Sequence, residues 1–475
     1  MINRILIRIK VVQMLYSYLL TRTDFKIAGR PDEADISADR RFAYEVYVDL
    51  LLLLLEITGN DTHSSPGSVP TVVTDKKMAK SRLGAALAAD STVRSLIAAG
   101  NSDIDALRPV AQALHDAVTA SEVWKDFSRR RTAGLAEEVA MWLTAIPTVI
   151  AKNSELDKVL RDLPGYTGVG YKTGIAMLSD TLQSYNDTRA AYLKAKNDLQ
   201  DSLDKAYELY VSIFALITEL TREQERRIEN AKYKHLATAE ERNPNTRFIN
   251  NALAAKIMQS PDIDKFCRDN KISWETDIAL VNSLLEAITA SAPYKEYMEA
   301  PATDYAADCE FWRTVLRTVV FNNDDFNEAL EDKSVYWNDD LQIMGTFVLK
   351  TIRQVQNDES EPIALLPRYK DEEDAAFGAE LFDDTVRNRE TYRSYIDRFV
   401  NTGNWDPDRL AFMDIVIMMT AISELVNYPK IPLPVTMNEY IEIANSYSTA
   451  KSGQFVNGIL FNVINQLRSE GKLCK

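Results

Sequence analysis

The stretch "SGQFVNGILFNVINQL", Ser452 to Leu467, carries apolar residues at Val456, Leu460, Val463, Ile464 and Leu467. Steps of three and four mark one face of an amphipathic helix. Asn457 and Gly458 sit in its first turns, where both are poor helix formers. Gly costs about 1 kcal/mol against Ala in a helix interior. The expectation is that Gly458 lets another backbone or helix approach closely.

Upstream of that helix the pattern is equally dense. "VTMNEYIEIA" reads as a helix start, with Thr436 and Glu439 as a capping box and Val435 and Tyr440 as a hydrophobic staple. "WDPDRLAFMDIVIMMTAISELVN" begins with Asp406 as N-cap and Pro407 at the first helical position, and should end at Asn427 before Pro429. It is apolar nearly all round, so it is predicted to be the buried centre of a bundle. "DEEDAAFGAELFDDTVRNRETYRSYIDRFV" reads as two helices, with Phe377, Leu381, Phe382 and Val386 inward in the first. At the other end of the chain, "MINRILIRIKVVQMLYSYLL" is helical in pattern. Ile2, Ile5, Ile9, Val12 and Tyr16 form an expected apolar stripe, with Arg4 and Arg8 one turn apart on another face.

The long middle contains an internal repeat. "YEVYVDLLLLLLEIT", Tyr44 to Thr58, returns 163 residues later as "YELYVSIFALITELT", Tyr207 to Thr221. "ASEVWKDF", Ala120 to Phe127, returns 170 residues later as "ASAPYKEY", and Trp142 and Leu160 match Trp312 and Leu330 at the same spacing. Two related helical units follow, roughly 41–200 and 204–356. The stretch from Thr188 to Ala231 has the character of a long exposed helix joining them.

Composition agrees with an all-α chain: 475 residues, 46% hydrophobic, with only 16 glycines and 16 prolines. Cys267, Cys309 and Cys474 are too few and too scattered for a disulfide framework, and the three histidines lack ligand spacing, so no metal site or other cofactor is expected. The leucine run Leu50 to Leu55 is too short to span a bilayer and Asp49 and Glu56 bracket it, so it is predicted to lie in a buried helix. With no signal peptide in view, a cytoplasmic protein is expected. The net charge of −15 argues against a general nucleic-acid binder. Residues 302–400 hold much of the excess acid. The cations gather at the chain ends, at Arg4, Arg8, Lys10, Arg22, Lys26 and Arg30 and again from Lys430 to Lys475.

"RIKVVQMLYSYL" near the start, with "VTMNEYIEIANSYS" and "GQFVNGIL" near the end, together resemble the bacterial transcription antitermination family NusB. Their order and relative placement match, with the middle of the chain as a large insertion after the first family helix. The resemblance implies a first family helix at 1–28, helical insert units at 29–203 and 204–368, and the remainder of an all-α, RNA-binding bundle at 369–475. It also implies two small helical bundles packed across each other and no catalytic activity. The implied partners are single-stranded boxA-like RNA and the ribosomal protein NusE. They act within an RNA polymerase antitermination complex that suppresses premature termination, chiefly in rRNA operons.

Single-stranded RNA is held by cations on phosphates, aromatic faces on bases and amides on base edges. The candidates are Arg4, Arg8 and Lys10, with the N–H groups at the first helix's start, and Lys451, Ser452 and Gln454 just before the last one. Tyr16 and Phe455 could stack on bases or fill the core. Asn457, with two donors and an acceptor, could read a base edge or bind a neighbouring loop. Many relatives carry a denser arginine cluster where this chain has Ile5, Leu6 and Ile7. The acidic total and that thinned cluster leave a second reading open, a non-catalytic helical scaffold that binds proteins with little RNA affinity. No Walker loop, GxGxxG, HExxH or cysteine-nucleophile motif points to an enzyme.

Overall fold

Apolar residues that run all round a helix must be covered on every side, and Phe412–Asn427 is covered so: every residue from Asp414 to Leu425 is buried. This is seen in a computed structural model that describes residues 2–22, 27–30, 37–63, 72–100, 102–130, 134–235, 238–302, 304–337, 339–356, 363–401 and 410–473. Asp406 and Pro407 lie outside the described residues. Among the described residues every regular element is a helix, so the fold is all-α as expected.

Numbering only the helices of the bundle formed from the chain ends, α1 is Arg4–Thr21, α2 Glu372–Arg387, α3 Arg389–Asn401, α4 Phe412–Asn427, α5 Leu433–Tyr447 and α6 Ser452–Ser469. The central α4 touches α2, α3, α5 and α6. α1 lies along α4 in the opposite sense, since Arg8 meets Glu424 near one end and Tyr16 meets Phe412 at the other. Phe377, Leu381, Phe382 and Val386 of α2 face inward, as do all five apolar residues that define α6. Fully burying one such side chain contributes about 1.5–3 kcal/mol.

Two expectations fail locally. α5 starts at Leu433, three residues before Thr436, with Pro432 at the cap position. Thr436 is therefore inside the helix and spends its hydroxyl on Glu424 rather than on a capping box. Val435 is exposed, so no staple to Tyr440 forms. Of the expected stripe Ile2 and Val12 are buried, together with Leu6, Ile7, Val11 and Leu15, but Ile5 is exposed and Ile9 and Tyr16 are half-buried. The first helix is apolar on so many sides that spacing alone did not select its inner face.

The chain forms two compact units, Met1–Leu20 with Ala195–Lys475, and Thr21–Lys194. The boundary falls within one 65-residue helix, Gly168–Lys232. Its second half is not the exposed connector expected, because Ala206, Leu209, Tyr210, Val211, Phe214 and Ile217 are fully buried. It is both the last helix of one repeat and the first of the next.

The repeat is a structural duplication. Helices Ser91–Ala99, Glu122–Arg129 and Leu135–Ala145 recur 170 residues on as Pro261–Asn270, Ala292–Glu299 and Tyr305–Val315. Both copies then pass through a five-residue π-helical segment, Ile146–Ile150 and Leu316–Val320, just after fully buried Trp142 and Trp312. Each copy ties its first helix to its last by one buried hydroxyl pair, Tyr47 to Thr181 at 3.0 Å and Tyr210 to Thr351 at 2.7 Å. Each also uses one carboxylate to take the first N–H of a short helix, Glu138 from Arg82 at 3.0 Å and Asp308 from Ala252 at 2.7 Å. The leucines from Leu50 to Leu55 are buried as expected. The acids bracketing them are buried too: Asp49 accepts the Asp103 N–H, and Glu56 pairs with Arg108 at 3.1 Å.

Candidate nucleic-acid interface

An arginine set among isoleucines on a buried helix face needs a carboxylate partner, because an unpaired charge out of water is very costly. Arg8 is 2% exposed and grips Glu424 with two parallel hydrogen bonds, Nε to Oε2 at 2.7 Å and a terminal nitrogen to Oε1 at 2.9 Å. Thr436 Oγ1 and Tyr440 Oη donate to the same carboxylate at 2.8 and 3.1 Å. Burial works against the Arg8 charge, but the hydrogen bond and field of Glu424 outweigh it and hold the guanidinium above its ordinary pKa. Burial, reinforced by Glu424, likewise pushes the Tyr440 hydroxyl well up.

Lys10 is 3% exposed and reaches Asp340 at 2.8 Å and the Tyr336 carbonyl at 2.8 Å. Burial pushes Asp340 up to about 6 against the opposing pull of Lys10. Arg8 and Lys10 are therefore corrected: both are interior ion-pair partners, out of reach of a nucleotide strand. Arg4 keeps part of its side chain in solvent but is engaged, with Nε on Asp374 at 2.6 Å and its guanidinium 5.1 Å from the Phe377 ring. The helix start is spoken for as well, since Asn3 caps the Leu6 N–H and the Ile2 N–H donates to the Arg368 carbonyl. The Tyr16 ring packs at 5.5 Å from Phe412.

At the start of α6, Ser452 is 1% exposed and donates to Asp414 Oδ2 at 2.9 Å, locking α6 to the start of α4. It too is corrected from ligand contact to structural tie. Lys451, Gln454 and Asn457 are exposed and Phe455 is half-buried. Gly458 is also exposed, and a Cβ added there would meet nothing within 4 Å. The close approach expected at Gly458 occurs five residues earlier: a Cβ on Gly453 would collide with the Asn445 side chain.

The solvent side of α6 is thus Gln454, Asn457, Gly458, Phe461, Asn462 and Asn465, an amide-rich face with a ring 62% exposed at its centre. Phe461 and Asn462 were missed by the sequence reading. The signal was available, because they stand four residues after Asn457 and Gly458 and off the apolar stripe. The two ends of the chain do meet in one bundle, but their cations do not merge. Ser452 contacts α4 at Asp414 and Arg8 contacts it at Glu424, ten residues away, or about 15 Å along the helix axis.

The fold is an all-helical bundle whose exposed amide and aromatic groups line up along α6. The family model described as "NusB family" matches residues 339–465, which takes in α2 to α5 and most of α6. Three relatives, each named transcription antitermination protein NusB, align with the chain. That of Salinibacter ruber is 32% identical over 134 residues, 27% of this chain and 82% of the relative. That of Geotalea uraniireducens is 35% identical over 132 residues, 28% of this chain and 87% of the relative. That of Chloroherpeton thalassium is 37% identical over 95 residues, 20% of this chain and 44% of the relative. No solved structure matches the chain. The chain belongs to the NusB family, as a member with a long insertion. Among the described residues no helix is long and apolar enough to cross a membrane.

Proposed function

We propose that this protein is a non-catalytic transcription antitermination factor. In this reading it binds boxA-like single-stranded RNA together with the ribosomal protein NusE, within an RNA polymerase antitermination complex that acts chiefly on rRNA operons. The observation that supports the reading is the alignment with NusB antitermination proteins over more than four fifths of two relatives. The RNA contacts proposed are Lys451, Gln454, Phe455 and Asn457, extended along α6 by Phe461, with Arg4 and Tyr16 at the margin. Amides on base edges and an aromatic face suit unstacked bases.

A second reading, a protein-binding scaffold with little RNA affinity, is favoured by the burial of Arg8 and Lys10 in ion pairs. Binding of a boxA-like RNA and a scrambled control, with and without NusE, at two salt concentrations separates the two. The first reading expects sequence preference and a weak salt dependence. With Arg4 and Lys451 as the two phosphate contacts, the slope is about −1.4. NusE binding without RNA preference supports the scaffold and overturns the RNA-binding reading.

A further inference from the structure

The duplication supplies an internal control, because one site is open in the first copy and filled in the second. In the unit Thr21–Lys194, a 410 Å³ cavity is lined by Tyr44, Glu45, Asp49, Leu96 and Asp103, with Arg30 at hand. Asp49 is 1% exposed, and its Oδ1 accepts the Asp103 N–H at 2.8 Å. Its Oδ2 is buried with no hydrogen-bond partner among the described residues. A carboxylate oxygen out of water with nothing to accept from is costly.

The second copy removes each of these features. Tyr207 and Glu208 repeat Tyr44 and Glu45, but Ser212 replaces Asp49 and Ser273 replaces Asp103. Ser212 satisfies its own hydroxyl on the Leu209 carbonyl at 2.9 Å. Phe266 stands where Leu96 does and fills the space against Tyr207, with ring centroids 5.4 Å apart. Glu208 is paired with Lys205 at 2.6 Å, where the first copy has Phe42. The same scaffold, once without the buried acid, needs neither the acid nor the hole.

We propose that the cavity of the first copy binds a small organic ammonium ion of the diamine or polyamine class. Its ammonium group is received by Asp49, with Glu45 and Asp103 beside it, and its methylenes lie against Leu96 and the Tyr44 ring. Glu45, Asp103 and Asp49, the last once it gives up its proton, outnumber the one described cation on the lining, Arg30, and so favour a positive ligand. Among the described residues no three His, Cys, Asp or Glu are arranged to hold a metal ion. Aliphatic and aromatic lining suits an alkyl chain, and an aromatic face also attracts ammonium. The site lies outside the family bundle and stands whether or not the RNA-binding reading does.

Calorimetric titration of the full chain with spermidine and with putrescine, in 150 mM salt, tests this. The expected result is one saturable site per chain for at least one of them. Asp49→Ser, the second copy's residue, should weaken it at least tenfold. Leu96→Phe, which fills the hole without altering charge, should do the same, and it keeps the test intact if the Asp49 variant fails to fold. Absence of binding overturns the proposal. So does binding of several ions per chain that both variants leave unchanged, since that is the ion atmosphere of an acidic protein.

Discussion

Glu424 and Asp49 are both buried carboxylates on helices that are apolar nearly all round, yet they are treated in opposite ways. Glu424 accepts four hydrogen bonds, two of them from a single guanidinium. Asp49 accepts one, from a backbone N–H, and keeps an oxygen with no donor among the described residues. Charge-assisted, bidentate pairing can offset the loss of water, whereas one neutral donor cannot. The first carboxylate therefore fastens α1, α4 and α5 together. The second stays protonated over much of the ordinary range, because burial, with Asp103 and Glu45 nearby, pushes it up to about 7.

That contrast breaks most sharply at Glu424. Glu424→Ala leaves Arg8 buried without its partner and should cost about 3–5 kcal/mol, read as a lowered denaturant midpoint. A change below about 1 kcal/mol would show that Arg8 is not held as described.

Asp49 gives the opposite behaviour with pH. The folded chain keeps its proton to about pH 7, while the unfolded chain releases it near the ordinary aspartate value of 3.8. Between those values the native state binds more protons, so this group makes stability fall as pH rises, by at most about 1.4 kcal/mol per pH unit. Asp49→Asn should flatten that slope and leave the protein more stable than the parent above pH 7. An unchanged pH profile by thermal denaturation would refute it.

On the exposed side of α6 the effects are smaller and fall on binding. Phe461→Ala should leave the fold intact and weaken boxA-like RNA binding by about 1–3 kcal/mol, the usual range for a lost stacking face. An unchanged RNA titration would remove the aromatic from the interface. Gly458→Ala should raise stability by about 0.5–1 kcal/mol, since the added methyl meets nothing and the helix gains propensity. A loss of stability in chemical denaturation would mean that the position is crowded after all.

Much of this was legible in the sequence. Apolar spacing picked out the inner faces of α2 and α6, unbroken apolarity marked α4 as buried on every side, and two offsets exposed the duplication. What spacing cannot give is the partner of a charge. Arg8 and Lys10 look like surface cations until their neighbours Ile7, Ile9 and Val11 are weighed. The lone Glu424 in the run of α4 was the matching sign, because an acid inside an apolar helix requires a donor. The close approach was assigned to the wrong glycine for a similar reason. Gly453 and Gly458 are alike in sequence, and only the neighbouring Asn445 tells them apart.

The bond between Arg8 and Glu424 joins groups 416 residues apart. At synthesis rates of about 5–20 residues per second, α1 leaves the ribosome roughly 20–80 s before α4 does. Over that interval α1 gains its cover piecemeal, from Tyr336 and Asp340, then α2, and last α4, while the first repeat already holds all the chain it needs to fold. The oldest part of the nascent chain is thus among the last to settle, and a chaperone that shelters such a segment would govern the yield of the whole protein.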